Sequence, residues 1–183
     1  MLPRLVLLGA LAMMLFPRVA RAGDEVSTRH VAILTRALAY DRDLKARAGD
    51  LVTIAVVYKP GSPDADRVVS TFKEIERLTL QGLPVRVVSV PVSADLASKL
   101  RSEKASAAYL VDGLDDSLDT VLGVSRQNKV VTMTTRESYV QRGASVAVVM
   151  AGGRSKLVVN LKASRAEGAK FSSDLLAVAT VLR

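Results

Sequence analysis

Few side chains in this sequence are of the kinds that carry chemistry. Its one histidine is His30, and it has no cysteine. A catalytic base or metal ligand needs convergent partners, and the spacing around His30 supplies none. It sits on the apolar side of a helical pattern, which fits a packed or partner-facing histidine. A Ser-His-Asp triad would need a Gly-x-Ser-x-Gly elbow to support it, and the sequence has no such motif. Without cysteine there is no disulfide, no thiol catalysis and no thiolate zinc site.

Asp112, Asp115, Asp116 and Asp119 form the one carboxylate cluster. Such a group could hold a metal or do acid–base work. Asp115 and Asp116 also stand where a helix starts, and capping that helix is the simpler role for them. A second candidate is the loop Tyr58, Lys59, Gly61, Ser62 and Asp64. It follows a strand and precedes a helix, where parallel sheets bind ligands; Asp112 and Gly113 occupy the equivalent place two strands later. Gly61 stands alone, so no phosphate-binding glycine pattern is present.

These residues depend on an alternation of strands and helices. Residues 25–40 carry an amphipathic helical pattern, with Val26, His30, Ile33, Ala37 and Tyr40 on one stripe and Val31, Leu34 and Leu38 beside it. Leu51–Tyr58 is an apolar, β-branched run that suits a strand buried on both faces. A helix is expected over Asp64–Thr79, ended by Gly82 and Pro84. Strands follow at Val85–Val92, Ala107–Val111 and Val130–Thr134, and helices at Ala94–Ser102, from Asp115 or Asp116 towards Arg126, and at Arg136–Arg142. Ser145–Met150 and Lys156–Asn160 flank Gly152-Gly153 as a β-hairpin. Ser172–Leu182 reads as a last helix. The fold class expected is a single three-layer α/β domain: a mostly parallel sheet flanked by helices, with a C-terminal antiparallel hairpin and a final helix.

The first 22 residues have a different character. Arg4 precedes an apolar run of 12 residues, Leu5–Phe16; Pro17 breaks it, and Ala20-Arg21-Ala22 offers small residues for a signal peptidase. A spanning helix needs about 20 apolar residues. Residues 1–22 therefore read as a cleavable signal peptide, with cleavage after Ala22 and a periplasmic domain over 23–183. No Cys follows the run to carry a lipid.

The net charge of +8 is uneven. Residues 23–128 carry 14 basic and 15 acidic side chains, whereas 129–183 carry 9 and 3. A basic face formed by Arg136, Arg142, Arg154, Lys156, Lys162, Arg165 and Lys170 would suit an anionic partner. Export and the few aromatics for base stacking argue against nucleic acid.

The last third also carries a motif. Gly143-Ala-Ser-Val-Ala-Val-Val leads to the Gly-Gly turn. Leu157-Val-Val-Asn160-Leu-Lys-Ala163-Ser-Arg-Ala166-Glu-Gly168 follows, and then Phe171-Ser172-Ser173-Asp-Leu175-Leu176. This resembles the C-terminal signature of the YfiR family of periplasmic proteins. Structural roles suit its residues: Asn160 bonding backbone as the chain leaves a strand, Gly168 taking a positive-φ turn, Ser172 capping the last helix. The resemblance implies a non-enzymatic regulator without cofactors that binds the periplasmic sensor domain of an inner-membrane protein. In the best-known members that partner is a diguanylate cyclase, whose restraint limits biofilm formation. Those relatives are described as homodimers stabilised or switched by disulfides, which this Cys-free chain cannot form. Many also carry Trp-Pro near the end of the first helix, where Tyr40-Asp41 stands here. The alternative function is a small-ligand or cell-wall-fragment binding domain like one lobe of a solute-binding protein. An envelope hydrolase would need a pocket joining His30 to a serine and a carboxylate.

Overall fold

A computed structural model describes residues 27–183; the expected signal peptide lies outside the described residues. Ser27 caps the first helix, α1 (Thr28–Leu38), by accepting a hydrogen bond from the His30 N–H at 3.3 Å. The face it buries holds Val31, Leu34 and Leu38, all fully buried. Of the other stripe, His30 and Ala37 are buried too, Ile33 is half-buried and Tyr40 is exposed, while Val26 lies outside the described residues. A short helix, α2 (Leu44–Ala48), follows and had no periodic signal, because Leu44 is its one buried residue.

Strand β1 (Val52–Tyr58) lies at the centre of the sheet. Its alternation divides the core: Val52, Ile54 and Val56 face one layer, while Ala55 and Val57 face the other. A strand of this kind has no polar face, which is why it reads as a continuous apolar run. Helix α3 (Ala65–Lys73) packs on the first face through Val68 and Phe72. The expected helix over Asp64–Thr79 does not continue. A 3-10 turn, Glu74–Arg77, ends it, and β2 (Thr79–Leu80) pairs antiparallel with β3 (Leu83–Pro91). Gln81 and Gly82 both take positive φ, 52° and 82°, as a two-residue hairpin turn requires. Gly82 thus makes a hairpin rather than a helix stop, and Leu78 is left 48% exposed.

After β3 come α4 (Leu96–Ser102), β4 (Ala105–Leu110), α5 (Leu118–Asn128), β5 (Val131–Thr134) and α6 (Glu137–Gln141). The chain then forms the hairpin β6 (Val146–Ala151) and β7 (Arg154–Asn160), followed by α7 (Leu161–Ala166) and α8 (Ser173–Val178). The segment expected to remain helical to Leu182 instead ends in β8 (Thr180–Leu182), parallel to β7. Strand β7 would otherwise have been an open edge of unpaired backbone groups, and pairing with Thr180–Leu182 satisfies them.

The sheet order is β2-β3-β1-β4-β5-β6-β7-β8. The strands β3, β1, β4, β5 and β6 are mutually parallel, and the β6–β7 pair is antiparallel. One face is covered by α1 and α3 with Phe171 and Leu175. The other is covered by α4 and α5 with Tyr139, and by Val140 of α6. This is the three-layer α/β domain expected. Among the described residues no helix is long and apolar enough to cross a membrane.

Phe72 and Tyr109 meet near the middle of the first face, ring centroids 4.6 Å apart and planes at 43°. Both are at most 1% exposed. Tyr109 bonds Thr135 through its hydroxyl at 3.1 Å. Phe72→Ala should cost about 3–5 kcal/mol, through lost transfer energy and an unfilled cavity. Urea unfolding monitored by circular dichroism measures it, and a loss below about 1 kcal/mol would show that the site collapses instead.

Candidate functional site

The parallel strands bring the two candidate loops together at their C-terminal ends. Lys59–Asp64, after β1, and Asp112-Gly113, after β4, line one shallow cleft of about 460 Å³. Tyr58 does not line it, since its hydroxyl accepts from Ser89 of β3 at 3.2 Å. The four aspartates do not pool their charge. Asp112 pairs with Arg136 at 3.3 Å, Asp116 with Lys59 at 3.4 Å and Asp119 with Arg142 at 3.0 Å. Asp115 accepts from the Tyr139 hydroxyl at 3.3 Å, and burial holds that phenol up at about 12. Among the described residues no cluster of three or more His, Asp or Glu could hold a metal. Nor do Asp115 and Asp116 cap α5: the helix opens later, at Leu118 after Ser117, and no side chain caps it. His30 is buried, and its Nδ1 has no hydrogen-bond partner among the described residues.

The basic residues divide into two groups. Arg136 and Arg142 pair with Asp112 and Asp119, and Lys170 pairs with Asp43 at 2.8 Å. Arg154 and Lys156 on β7, and Lys162 and Arg165 on α7, are exposed and have no ion-pair partner among the described residues. Lys162 and Arg165, with Leu161 and Arg183, line a cleft of about 470 Å³. Of these seven, the cations left without an ion pair are thus those on the outer hairpin strand and the helix after it.

The signature residues run from the turn before β6 to α8 and differ in what they touch. Asn160 uses both ends of its amide. Its Oδ1 accepts from the Ala163 N–H at 3.0 Å, capping α7, while its Nδ2 donates to the Val140 carbonyl at 3.1 Å. Ala163 is buried, whereas Ala166 is exposed. Gly168 adopts φ +83°, and a Cβ there would touch Arg47 and Lys129 side chains at 3.4 Å. Gly143 adopts φ +114°, and a Cβ would lie 2.5 Å from the Arg126 guanidinium. Ser172 stands at the N-cap of α8 but makes no capping bond, and its hydroxyl is buried without a partner. Ser173 begins that helix exposed, Leu175 is buried, and Leu176 packs partly against the core.

Sequence reasoning missed two groups here. Asp41, fully buried, forms an ion pair with Arg47 and accepts the Lys170 N–H at 2.8 Å. Glu167, also fully buried, accepts from the Thr132 N–H at 2.7 Å, the Thr132 hydroxyl at 2.8 Å and the Ser145 hydroxyl. It ties α7 to the starts of β5 and β6. The available signal was its place in a small-residue stretch, Ala166-Glu167-Gly168, within a segment of only three acids.

The profile of a family described as YfiR/HmsC-like matches residues 31–180. No curated protein sequence matches. Several solved structures share the fold at a TM-score of 0.57. One is the ABC domain in complex with L-Trp from Streptococcus pneumonia, 18% identical, with 80% of this chain and 60% of that one covered. Another is a conserved domain protein from Vibrio cholerae, 22% identical, with 76% and 57% covered. A third is a substrate binding protein with adhesive properties from Clostridium difficile, ligand-free and open, 17% identical, with 77% and 57% covered. The chain spans less than two thirds of the length of each.

Burial of Glu167 outweighs its three donors and pushes its carboxyl up from 4.5 to about 7. The folded state then holds a proton that the unfolded state has lost between those values, so stability should fall as pH rises from about 4.5 to 7 and level off above. At about 1.4 kcal/mol per unit the loss is on the order of 3 kcal/mol. Glu167→Gln keeps an acceptor for Thr132 and removes the titration. Its unfolding free energy should be nearly flat over that window, and curves running parallel to wild type would rule the assignment out.

Proposed function

Because the chain belongs to the YfiR/HmsC-like family, we propose that it is a non-enzymatic periplasmic regulator that acts by protein contact. In this reading residues 1–22 are a signal peptide removed after Ala22, and residues 23–183 are the working domain. The partner is the periplasmic sensor domain of an inner-membrane diguanylate cyclase, and binding holds down cyclic di-GMP synthesis and biofilm formation. The observation that carries it is the extent of the family match, which takes in nearly the whole described chain. The electrostatics agree. The cluster's aspartates are held in ion pairs or hydrogen bonds, whereas Arg154, Lys156, Lys162 and Arg165 remain exposed without partners among the described residues. Such a surface steers an acidic partner and sets the orientation of docking. Regulation by disulfides is closed to a chain without cysteine.

The test is the R154E/K156E/K162E/R165E variant. It should fold with wild-type circular dichroism and fail to lower cyclic di-GMP or surface attachment when it replaces the wild-type protein. Repression at wild-type strength would remove this face from the mechanism, and unchanged cyclic di-GMP on deletion of the gene would remove the mechanism itself.

A second reading rests on the cleft formed by Lys59–Asp64 and Asp112-Gly113. It lies at the C-terminal ends of parallel strands, the usual ligand position in open α/β sheets, and the fold is shared with a substrate binding protein. The cleft would take a small molecule or cell-wall fragment whose binding modulates the partner contact. Thermal shifts with amino acids and wall fragments should then raise the melting temperature for one class and not in K59A/D64A; no shift with either class would eliminate it.

A further inference from the structure

The opposite end of the sheet holds a larger cleft, of about 590 Å³, bounded by the starts of β1 and β4, by β3, and by α2 and α4. Four cations line it: Arg47, Arg86, Arg101 and Lys104. Asp50 is the one carboxylate in the lining, and Leu51, Leu100 and Ala105 supply apolar wall. The volume lies within the roughly 300–1,000 Å³ range of small-molecule sites.

Two of the guanidinium groups are fixed in place. Arg47 donates through Nη1 to the carbonyls of Ser106 at 2.9 Å and Lys129 at 3.1 Å, while its Nη2 pairs with Asp41. Arg86 donates through Nη2 to the Glu103 carbonyl at 2.8 Å and pairs with the Glu103 carboxylate at 3.1 Å. In both residues the Nε–H is buried with no hydrogen-bond partner. A buried unpaired donor is destabilising, and more so when it belongs to a charged group. Both arginines, from separate elements, line the same cleft. The other two cations have no carboxylate partner among the described residues; Arg101 bonds Asn128 at 3.2 Å and Ser98 at 3.1 Å, both neutral, and Lys104 is exposed.

We propose that this cleft is a binding site for a small organic anion, whose phosphate or carboxylate group is taken by these cations while an apolar or planar body lies against Leu51 and Leu100. Fixed guanidinium groups suit such oxyanions, because their donors are planar and already oriented. The site is distinct from the β7–α7 surface and from the Lys59–Asp64 cleft, and it stands whether or not the regulatory reading does.

The purified chain is titrated with phenyl phosphate, benzoate and the neutral benzyl alcohol, followed by calorimetry and by ¹⁵N spectra that resolve arginine Nε–H signals. Saturable binding of one of the two anions is expected, with benzyl alcohol inert; which anion binds separates a phosphate site from a carboxylate site. The Nε–H signals of Arg47 and Arg86 should move on binding. R101A/K104A should weaken the affinity roughly tenfold with an unchanged melting temperature, since both side chains are exposed. R154A/K156A should bind as wild type. No saturable binding of either anion, equal binding by R101A/K104A, or an equal loss in R154A/K156A would each overturn the proposal.

Discussion

The Asp41 carboxylate is buried where distant parts of the chain cross, and the arrangement of the rest depends on how its charge is met. Arg47 pairs with it, and the backbone N–H groups of Asp43 and Lys170 donate to it at 3.1 and 2.8 Å. The same arginine holds the carbonyls of Ser106 at the start of β4 and Lys129 at the end of α5. One ion pair thereby joins the first helical corner, the central sheet, the second helical layer and the segment between α7 and α8. Breaking such a pair from one side strands a buried charge, at about 3–5 kcal/mol. Around it the fit is close, since a Cβ at Gly168 would touch Arg47 and Lys129 at 3.4 Å, and its φ of +83° favours glycine there.

The sheet was readable from the sequence because its strands are buried on both faces. Leu51–Tyr58 and Ser145–Met150 lack polar alternation for the physical reason that helices cover both sides, and glycines and prolines separate them from the helices. What escaped was structure set by pairing rather than by period. Thr79-Leu80 and Thr180–Leu182 are strands only because a neighbouring strand offers unpaired backbone groups, and neither segment carries a pattern of its own. Helix α2 is too short for a period to show.

The candidate site was legible in part. Loop position after a parallel strand brought Lys59–Asp64 and Asp112-Gly113 to one cleft, as sheet topology dictates. Charge counting found the excess in the last third, but it could not tell paired cations from free ones. Arg136, Arg142 and Lys170 are matched by aspartates remote in sequence, and that matching is a tertiary fact. Glu167 and Asp41 went unnoticed for a related reason. A buried acid announces itself through its donors, and those donors are backbone groups and hydroxyls that no motif records.

The bond between the Lys170 N–H and Asp41 spans 129 positions of the chain. Contacts this remote make folding slow, because loop closure comes before the reward. They also impose an order. A chain growing from its N-terminus carries Asp41 and Arg47 for more than a hundred residues before Lys170 exists to complete their cage. Until then Arg47 and the Asp43 N–H meet the carboxylate alone, and water takes the place of the Lys170 donor. The last donor to the buried carboxylate thus comes from the segment beyond α7, so the corner and the C-terminal segment complete one another.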